Sequence, residues 1–210
     1  MIPREENMMM KLNALFLPVA VCGLLLAGAA MAADPAASCA GCHGPDGNST
    51  DSSMPSIAGA SVAYLSGTLN EYKSKQRPCS EVAVLAGEKK GTKTDMCKLV
   101  ADLSAADIDA LAKTFSAKKF VRFKQEIDPA LAAKGKTVHD AQCEKCHSEG
   151  GSVAEDDAGI LAGQPLAYLK TQLADYKSGK RPAPSKMQPK ISPLQPADLD
   201  ALAAYYASLK

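Results

Sequence analysis

Two short segments of this chain combine paired thiols with an imidazole at a spacing that suits covalent attachment of haem. They are Cys39-Ala-Gly-Cys42-His43 and Cys143-Glu-Lys-Cys146-His147. In a C-x-x-C-H segment the two thiols add to the two vinyl groups of haem, and the adjacent His lies under the iron as a ligand. The sequence therefore predicts two covalently bound haem c groups.

Zinc binding and a thioredoxin-like dithiol are the alternative interpretations of each motif. A structural zinc site needs four ligands, usually from two neighbouring pairs. Here the pairs are 104 positions apart, and each is followed by its own His. A dithiol redox pair has no use for that His. Haem attachment is the interpretation that uses every residue of both motifs.

A low-spin electron-transfer haem needs a second axial ligand, for which Met and His are the usual choices. Only Met54, Met96 and Met187 follow residue 32. Met96 and Met187 each lie seven residues before a matching Leu, in a predicted loop just before the last helix of each half. We therefore predict that they bind the irons opposite His43 and His147.

Met54 and His139 remain after this assignment. Met54 has no Met counterpart in the other half of the chain, and we predict that it packs near the haem edge. His139 is the only His outside the motifs, and we predict a surface or packing role for it.

Seven Cys are present, and two of those after residue 32 lie outside the motifs. Cys79 follows a repeated Arg-Pro pair, and Cys97 follows Met96. In an oxidising compartment such a pair is expected to be bonded. We predict a Cys79–Cys97 disulfide that holds the Met96 loop, with two unpaired thiols as the alternative.

The chain is an internal duplication. Residues 63–78 match 167–182 at an offset of 104, which is also the offset between the motifs. Residues 103–112 match 194–203 at an offset of 91. The first half therefore contains 13 extra residues between Pro78 and Met96.

Hydrophobic periodicity predicts the helices that position these residues. Residues 62–73 and 105–116 each place apolar side chains on one helical face, and the second half repeats both patterns. A further helix is predicted from about 129 to 142, with Pro129 at its start. No segment alternates as a strand should, so the sequence predicts an all-α protein.

The N-terminus has the pattern of an export signal. Lys11 precedes an apolar run that ends in Ala30-Met31-Ala32, so we predict cleavage near Ala32 and a periplasmic protein. A retained membrane anchor is the alternative, because the run is long enough to span a bilayer. We expect no stable membrane span in the mature chain.

The predicted domains are a signal peptide at 1–32, a first haem domain at 33–118, a linker at 119–128 and a second haem domain at 129–210. The formal net charge is +1. A basic surface for nucleic acid is therefore not expected.

The whole mature chain resembles the two-domain dihaem class I cytochromes c. Residues that carry the likeness to the c-four group are Leu161-Ala-Gly-Gln164, Tyr168, Leu173, Tyr176-Lys177 and Arg181. A longer set is similar to the cytochrome subunit of flavocytochrome c sulfide dehydrogenase: Phe123-Lys-Gln125, Asp128, Leu131-Ala132, Gly135, His139-Asp140, the second motif, Glu149-Gly-Gly151 and Ile160 to Gln164.

This resemblance implies two tandem cytochrome c class I domains. It also implies a periplasmic acceptor for a flavoprotein that oxidises sulfide, with a soluble cytochrome or an oxidase as the next acceptor. A free dihaem carrier feeding a terminal oxidase is the alternative. A dihaem enzyme, such as a peroxidase or a thiosulfate dehydrogenase, would need an open or unusual axial position, which two matched Met disfavour.

Two features depart from that family pattern. One is the insert between Cys79 and Cys97. The other is the short stretch before Cys39, where Gly135 aligns with Met31 inside the predicted signal. We therefore expect one flank of the first haem to be open to a partner.

Overall fold

The computed structural model describes residues 35–209, and the predicted signal peptide lies outside them. The helices of the first half are α1 Pro35–His43, α2 Val62–Lys73, α3 Met96–Val100 and α4 Ala105–Ser116. Those of the second half are α5 Pro129–Gln142, α6 Ser148–Gly151, α7 Leu166–Lys177, α8 Gln188–Ile191 and α9 Pro196–Ser208, with a 3₁₀ turn at Ala154–Asp156.

Local side-chain chemistry sets the start of several helices. The Ser61 hydroxyl accepts the Tyr64 N–H at the start of α2. At α4, Ser104 and Asp107 form a reciprocal capping box, which satisfies two backbone donors that a helix leaves open. The Asp128 carboxylate caps α5 ahead of Pro129. The predicted bounds of α2, α4 and α5 are confirmed.

Each half has its own apolar core, built where the last helix meets the repeated helix before it. In the first half α2 packs on α4, and the buried cluster is Ala60, Leu65, Leu111, Ala112 and Phe115. In the second half α9 packs on α5 and α7, and the cluster is Leu169, Leu202, Ala203, Tyr205, Tyr206 and Ala207. These are the faces that the periodicity predicted.

The crossing of α5 over α9 depends on a glycine. A Cβ at Gly135 would lie 1.9 Å from the Ala201 carbonyl oxygen and 2.7 Å from the Tyr205 Cβ. Only a residue without a side chain permits this approach. The part of the first half that would correspond to α5 lies before the described residues.

The fold is mostly helical, as predicted, and the 13-residue insert adds two short strands that the sequence did not predict. The insert contains a small antiparallel pair, β1 Val82–Ala83 and β2 Lys93–Thr94. Two-residue strands are too short to show alternation in a sequence. A Cys79–Cys97 disulfide closes the base of the insert, with the two Cα atoms 5.5 Å apart.

The insert lies against the first motif. The N–H groups of Leu85 and Ala86 both donate to the Gly41 carbonyl, at 2.9 and 3.0 Å. A Cβ built on Gly41 would be 3.0 Å from the Val84 side chain. The extra residues of the first half therefore fold back over the motif itself. The expected open flank, on the side where a helix like α5 would lie, stays a prediction.

The segment between the two halves is bonded into both. The Asn48 side chain donates to the Lys119 carbonyl and accepts the Val121 N–H. Further on, the Phe123 N–H donates to the Gly163 carbonyl, and Gln125 bonds main-chain groups of the second half. The linker is thus part of the packed structure. The domain limits at 33–118, 119–128 and 129–210 stay predictions.

Direct bonds also join the halves, which lie in one compact unit. The buried Gln164 amide accepts the Ser56 N–H at 2.9 Å and donates to the Ser56 carbonyl at 2.8 Å. The Tyr168 N–H donates to the Ser52 carbonyl. Within residues 35–209, no helix is both long and apolar enough to cross a membrane.

Candidate functional site

The residues predicted to hold the first haem surround one cavity. Helix α1 carries both thiols and ends at His43. The lining consists of Ser38, Cys39, Cys42, His43, Leu69, Met96, Leu99, Val100, Leu103 and Leu111. The structure thus brings both thiols, the imidazole and the thioether to one largely apolar space, which is the donor set that a covalent haem requires.

His43 is held in the state that an iron ligand needs. Its Nδ1–H donates to the Pro55 carbonyl at 2.8 Å, so Nε2 keeps its lone pair. Burial lowers the pKa of His43, outweighing the opposite effect of that hydrogen bond. A neutral imidazole oriented through its second nitrogen is the usual form of a metal-bound His.

Met96 begins a short helix, whereas a loop was predicted at this position. It is the first residue of α3, and the Asp95 carboxylate caps that helix by accepting the Lys98 N–H. The next residue, Cys97, is buried and disulfide-bonded. A helix cap and a covalent bond therefore hold both sides of this thioether.

The second motif follows α5 directly, with Cys143 at its C-cap. Cys143 packs against the second core cluster, and burial raises the pKa of its thiol. Cys146, by contrast, is exposed. The two thiols of this motif therefore face different environments.

His147 carries an unsatisfied polar atom. Its Nδ1 is buried and has no hydrogen-bond partner among residues 35–209, whereas His43 uses the Pro55 carbonyl. At the repeat offset, Gly159 stands where Pro55 does in the first half. Burial is the main cause that lowers the pKa of His147, which favours the neutral imidazole there as well.

Met187 lies directly before α8, where a loop was again predicted. It is the N-cap residue of that helix, and its N–H donates to the Pro184 carbonyl at 2.8 Å. Both Met residues therefore occupy the start of a short helix that precedes the last helix of their half.

His139 is more than the surface or packing residue that the sequence predicted. It is fully buried, and its Nε2–H donates to the Glu144 carboxylate within the second motif. Its Nδ1 lies 3.0 Å from the Tyr206 hydroxyl. In the sequence, the spacing of about one helical turn between His139 and Cys143 could have indicated that His139 lies beside the second motif.

Met54 is buried, in keeping with a packing role.

A cluster of buried side chains between the halves was not predicted from the sequence. The Arg-Pro pair that both halves repeat could have indicated it. Arg77 and Arg181 are 3% and 6% exposed, so both guanidinium groups are out of water. They donate to the same Gln172 oxygen, at 3.1 and 2.9 Å. Each stacks on a tyrosine of its own half, Tyr72 and Tyr176.

The charge of this arginine pair is not matched by the protein alone. Glu71 supplies a carboxylate 4.0 Å from Arg77 and 3.9 Å from Arg181, and it is partly exposed. Arg77 Nε and Nη1 are buried, and no group in the described part of the chain forms a hydrogen bond with them. A buried cation is costly unless it is paired. Haem brings two propionate carboxylates, so the arginine pair fits a haem protein.

Comparison with protein families yields one match over most of the chain. The family model described as Cytochrome c matches twice, at residues 27–113 and 132–210. Each matched segment contains one C-x-x-C-H motif and one of the two assigned Met residues.

Individual relatives are named as cytochromes c4 or as an electron acceptor. Cytochrome c4 from Stutzerimonas stutzeri is 32% identical over 186 residues, covering 81% of this chain and 84% of the relative. A protein named thiosulfate dehydrogenase electron acceptor, from Thiomonas intermedia, is 29% identical and covers 79% of this chain and 76% of its own length.

A solved structure shares the fold. Reduced recombinant cytochrome c4 from Pseudomonas stutzeri superimposes with a TM-score of 0.67 at 30% identity, covering 83% of this chain and 94% of that one. The likeness extends over both halves, which agrees with the duplication seen in the sequence.

Proposed function

Because this chain belongs to the cytochrome c family and is a dihaem electron-transfer protein of the cytochrome c4 type, we propose that it accepts electrons in the periplasm from a sulfur-oxidising dehydrogenase. Haem c supplies an iron that is reduced and reoxidised by one electron. The observation that carries the proposal is the duplicated donor set, with one His and one Met assigned to each iron.

Within this proposal each residue has a defined task. Cys39 and Cys42, and in the second half Cys143 and Cys146, would form the thioether bonds to the two haems. His43 and Met96 would hold one iron, and His147 and Met187 the other. With one His and one Met on each iron, no position would remain for a substrate, which favours electron transfer over catalysis.

Arg77 and Arg181 are assigned to the haem propionates. Their burial, the two Arg77 donors without a hydrogen-bond partner among residues 35–209, and their long contacts with the one Glu71 carboxylate support this role. A guanidinium binds a carboxylate through parallel N–H donors, which makes a strong and directional contact. Because the pair lies between the halves, it would stabilise both haem sites at once.

Two donor classes have separate support. Similarity to the cytochrome subunit of flavocytochrome c sulfide dehydrogenase, carried by residues 123–164, favours a sulfide-oxidising flavoprotein. The relative named thiosulfate dehydrogenase electron acceptor favours a thiosulfate dehydrogenase. Both donors oxidise an inorganic sulfur compound and release electrons singly to a cytochrome.

The donor can be identified with the purified, oxidised holoprotein. We would mix it with a sulfide-oxidising flavoprotein plus sulfide, or with a thiosulfate dehydrogenase plus thiosulfate, and follow haem reduction by absorbance. Controls contain each sulfur compound without enzyme, because sulfide reduces haem directly. Catalysed reduction by one system identifies the donor, and reduction by neither rejects the sulfur-oxidising role.

The similarity to cytochrome c4 supports a free carrier as the second candidate. In that case the reduced holoprotein would be oxidised rapidly by membranes that contain a terminal oxidase, and the sulfur enzymes would have no effect.

The export part of the proposal can be tested by sequencing the N-terminus of protein recovered from the periplasm. We expect the mature chain to start directly after Ala32.

A further inference from the structure

We propose that redox partners dock on the face of the second motif, through an acidic rim, and that the insert closes the corresponding face of the first motif. The acidic rim consists of Glu144, Glu149, Glu155 and Asp157. This inference rests on the electron-transfer function and adds to it a docking surface and the charge of the partner.

The first motif has a cover that the second lacks. The insert donates two hydrogen bonds to Gly41, which lies between the two haem-binding thiols. The disulfide at its base ties this cover to the start of α3. Cys39 and Cys42 are both partly buried. A partner approaching this side meets the insert before it meets the motif.

The second motif is open at the matching position. Only four residues separate Pro182 from Met187, where the first half has the insert. The three residues directly before His147 are all exposed: Glu144, Lys145 and Cys146. Electron transfer falls steeply with distance, so the uncovered motif is the better place for a partner.

Hydrogen bonds hold the acidic rim beside the second motif. The Ser148 N–H donates to the Asp156 carboxylate at 2.6 Å, so the turn at 154–157 lies next to His147. On either side of Asp156, Glu155 and Asp157 are exposed. The Glu149 N–H donates to the Glu144 carboxylate at 3.1 Å, which places the other two acids there as well.

The two faces differ in charge. The acidic rim carries four exposed carboxylates, with Lys145 as the basic residue among them. The insert and α3 instead expose four lysines, Lys89, Lys90, Lys93 and Lys98, against two glutamates, Glu81 and Glu88. Complementary charge steers association and fixes orientation. The occupant that fits the acidic rim is therefore a one-electron redox protein with basic residues around its own prosthetic group.

Two matched charge reversals test the location. Glu155→Lys alters the acidic rim, and Glu88→Lys makes the same change at the exposed tip of the insert. The probe is mammalian cytochrome c, a basic haem protein, mixed in its oxidised form with the reduced holoprotein at low ionic strength. We expect Glu155→Lys to slow electron exchange about fivefold or more, and Glu88→Lys to change it less than about twofold.

Hydrogen exchange supplies a second measurement that does not depend on electron transfer. When redox-inactive zinc-substituted cytochrome c is added to the wild-type protein, we expect amides in residues 144–157 to become protected and those in residues 84–93 to stay unchanged.

A further variant removes the insert. Residues 79–95 are replaced by the four-residue stretch 183–186, and Cys97 is replaced by Gln, as in the second half. We expect new protection around Gly41 in that variant.

Several results would overturn the proposal. They are an equal or larger effect of Glu88→Lys, no effect of either reversal, or protection on the insert of the wild-type protein. The electron-exchange measurement uses single surface substitutions and the first hydrogen-exchange measurement uses the wild-type protein, so both stay decisive even if the variant with the replaced insert does not fold. A protein that behaves as expected with cytochrome c but ignores both sulfur enzymes would reject the proposed donor and leave the docking face intact.

Discussion

At the scale of single residues, the two halves satisfy their ligands differently. His43 is oriented by the Pro55 carbonyl, whereas the buried Nδ1 of His147 forms no hydrogen bond within the residues that the structure describes. Hydrogen bonding to a ligand His tunes the metal that it binds. The two irons are therefore expected to differ in reduction potential, although both are assigned the same pair of ligand types.

The three Met residues after the predicted signal allow a matched test of ligation. Met96→Leu and Met187→Leu should each remove about half of the signal of iron-bound methionine methyl groups in proton NMR spectra of the reduced holoprotein, because each supplies one of two thioethers. Met54→Leu is the control and should leave the signal intact. Retention of the full signal in either ligand variant would contradict the assignment.

Arg77→Gln tests the role of the buried arginine pair. We expect the free energy of unfolding of the holoprotein to fall by about 3 kcal/mol, because one member of a buried ionic contact is removed. One reduction potential should also fall, since a nearby positive charge disfavours the oxidised iron. The control is Lys75→Gln, an exposed cation nearby in the chain. A changed stability with unchanged potentials would indicate that Arg77 does not contact a propionate.

At the scale of elements, helices that carry local signals formed where the sequence predicted them. Ser61, Ser104 and Asp128 cap the helices that they precede. The short helices α3 and α8 were predicted as loops because four or five residues carry too little periodicity to be recognised. The two strands of the insert were not predicted for the same reason, because each has only two residues.

The close approach of α5 to α9 should depend on Gly135, which lies against Ala201 where the two helices cross. We expect Gly135→Ala to lower the free energy of unfolding by about 2 kcal/mol, because its methyl group would overlap the Ala201 carbonyl. Gly67→Ala in α2 is the matched control, since no heavy atom lies within 4 Å of the added Cβ. There the change should stabilise the protein by about 0.5–1 kcal/mol. Equal effects in chemical denaturation would contradict the packing argument.

At the scale of the whole molecule, polar contacts connect the two duplicated halves. Gln164 bonds both main-chain groups of Ser56, and Gln172 receives an arginine from each half. Such contacts keep two similar domains in one arrangement. They also give the haem sites a shared boundary, which two independent domains on a flexible linker would not have.

Gln164→Ala tests how far this contact couples the halves. It leaves the buried Ser56 N–H and carbonyl unpaired, which should cost about 2 kcal/mol. We expect calorimetry of the holoprotein to show two separated thermal transitions in place of one, with no change in the haem spectra. The exposed Gln76→Ala serves as the control. A single transition in the Gln164 variant would show that other contacts suffice.

The sequence by itself determined the cofactor, the duplication and most helix positions, and it predicted the attachment residues. Covalent attachment depends on residues three or four positions apart, and helix periodicity is equally local, so both are visible in the chain. Only the tertiary structure decided that His139 bonds Glu144 and Tyr206, that two arginines meet between the halves, and that the insert covers Gly41. These features join residues far apart in the chain, and their partners are selected by packing rather than by spacing.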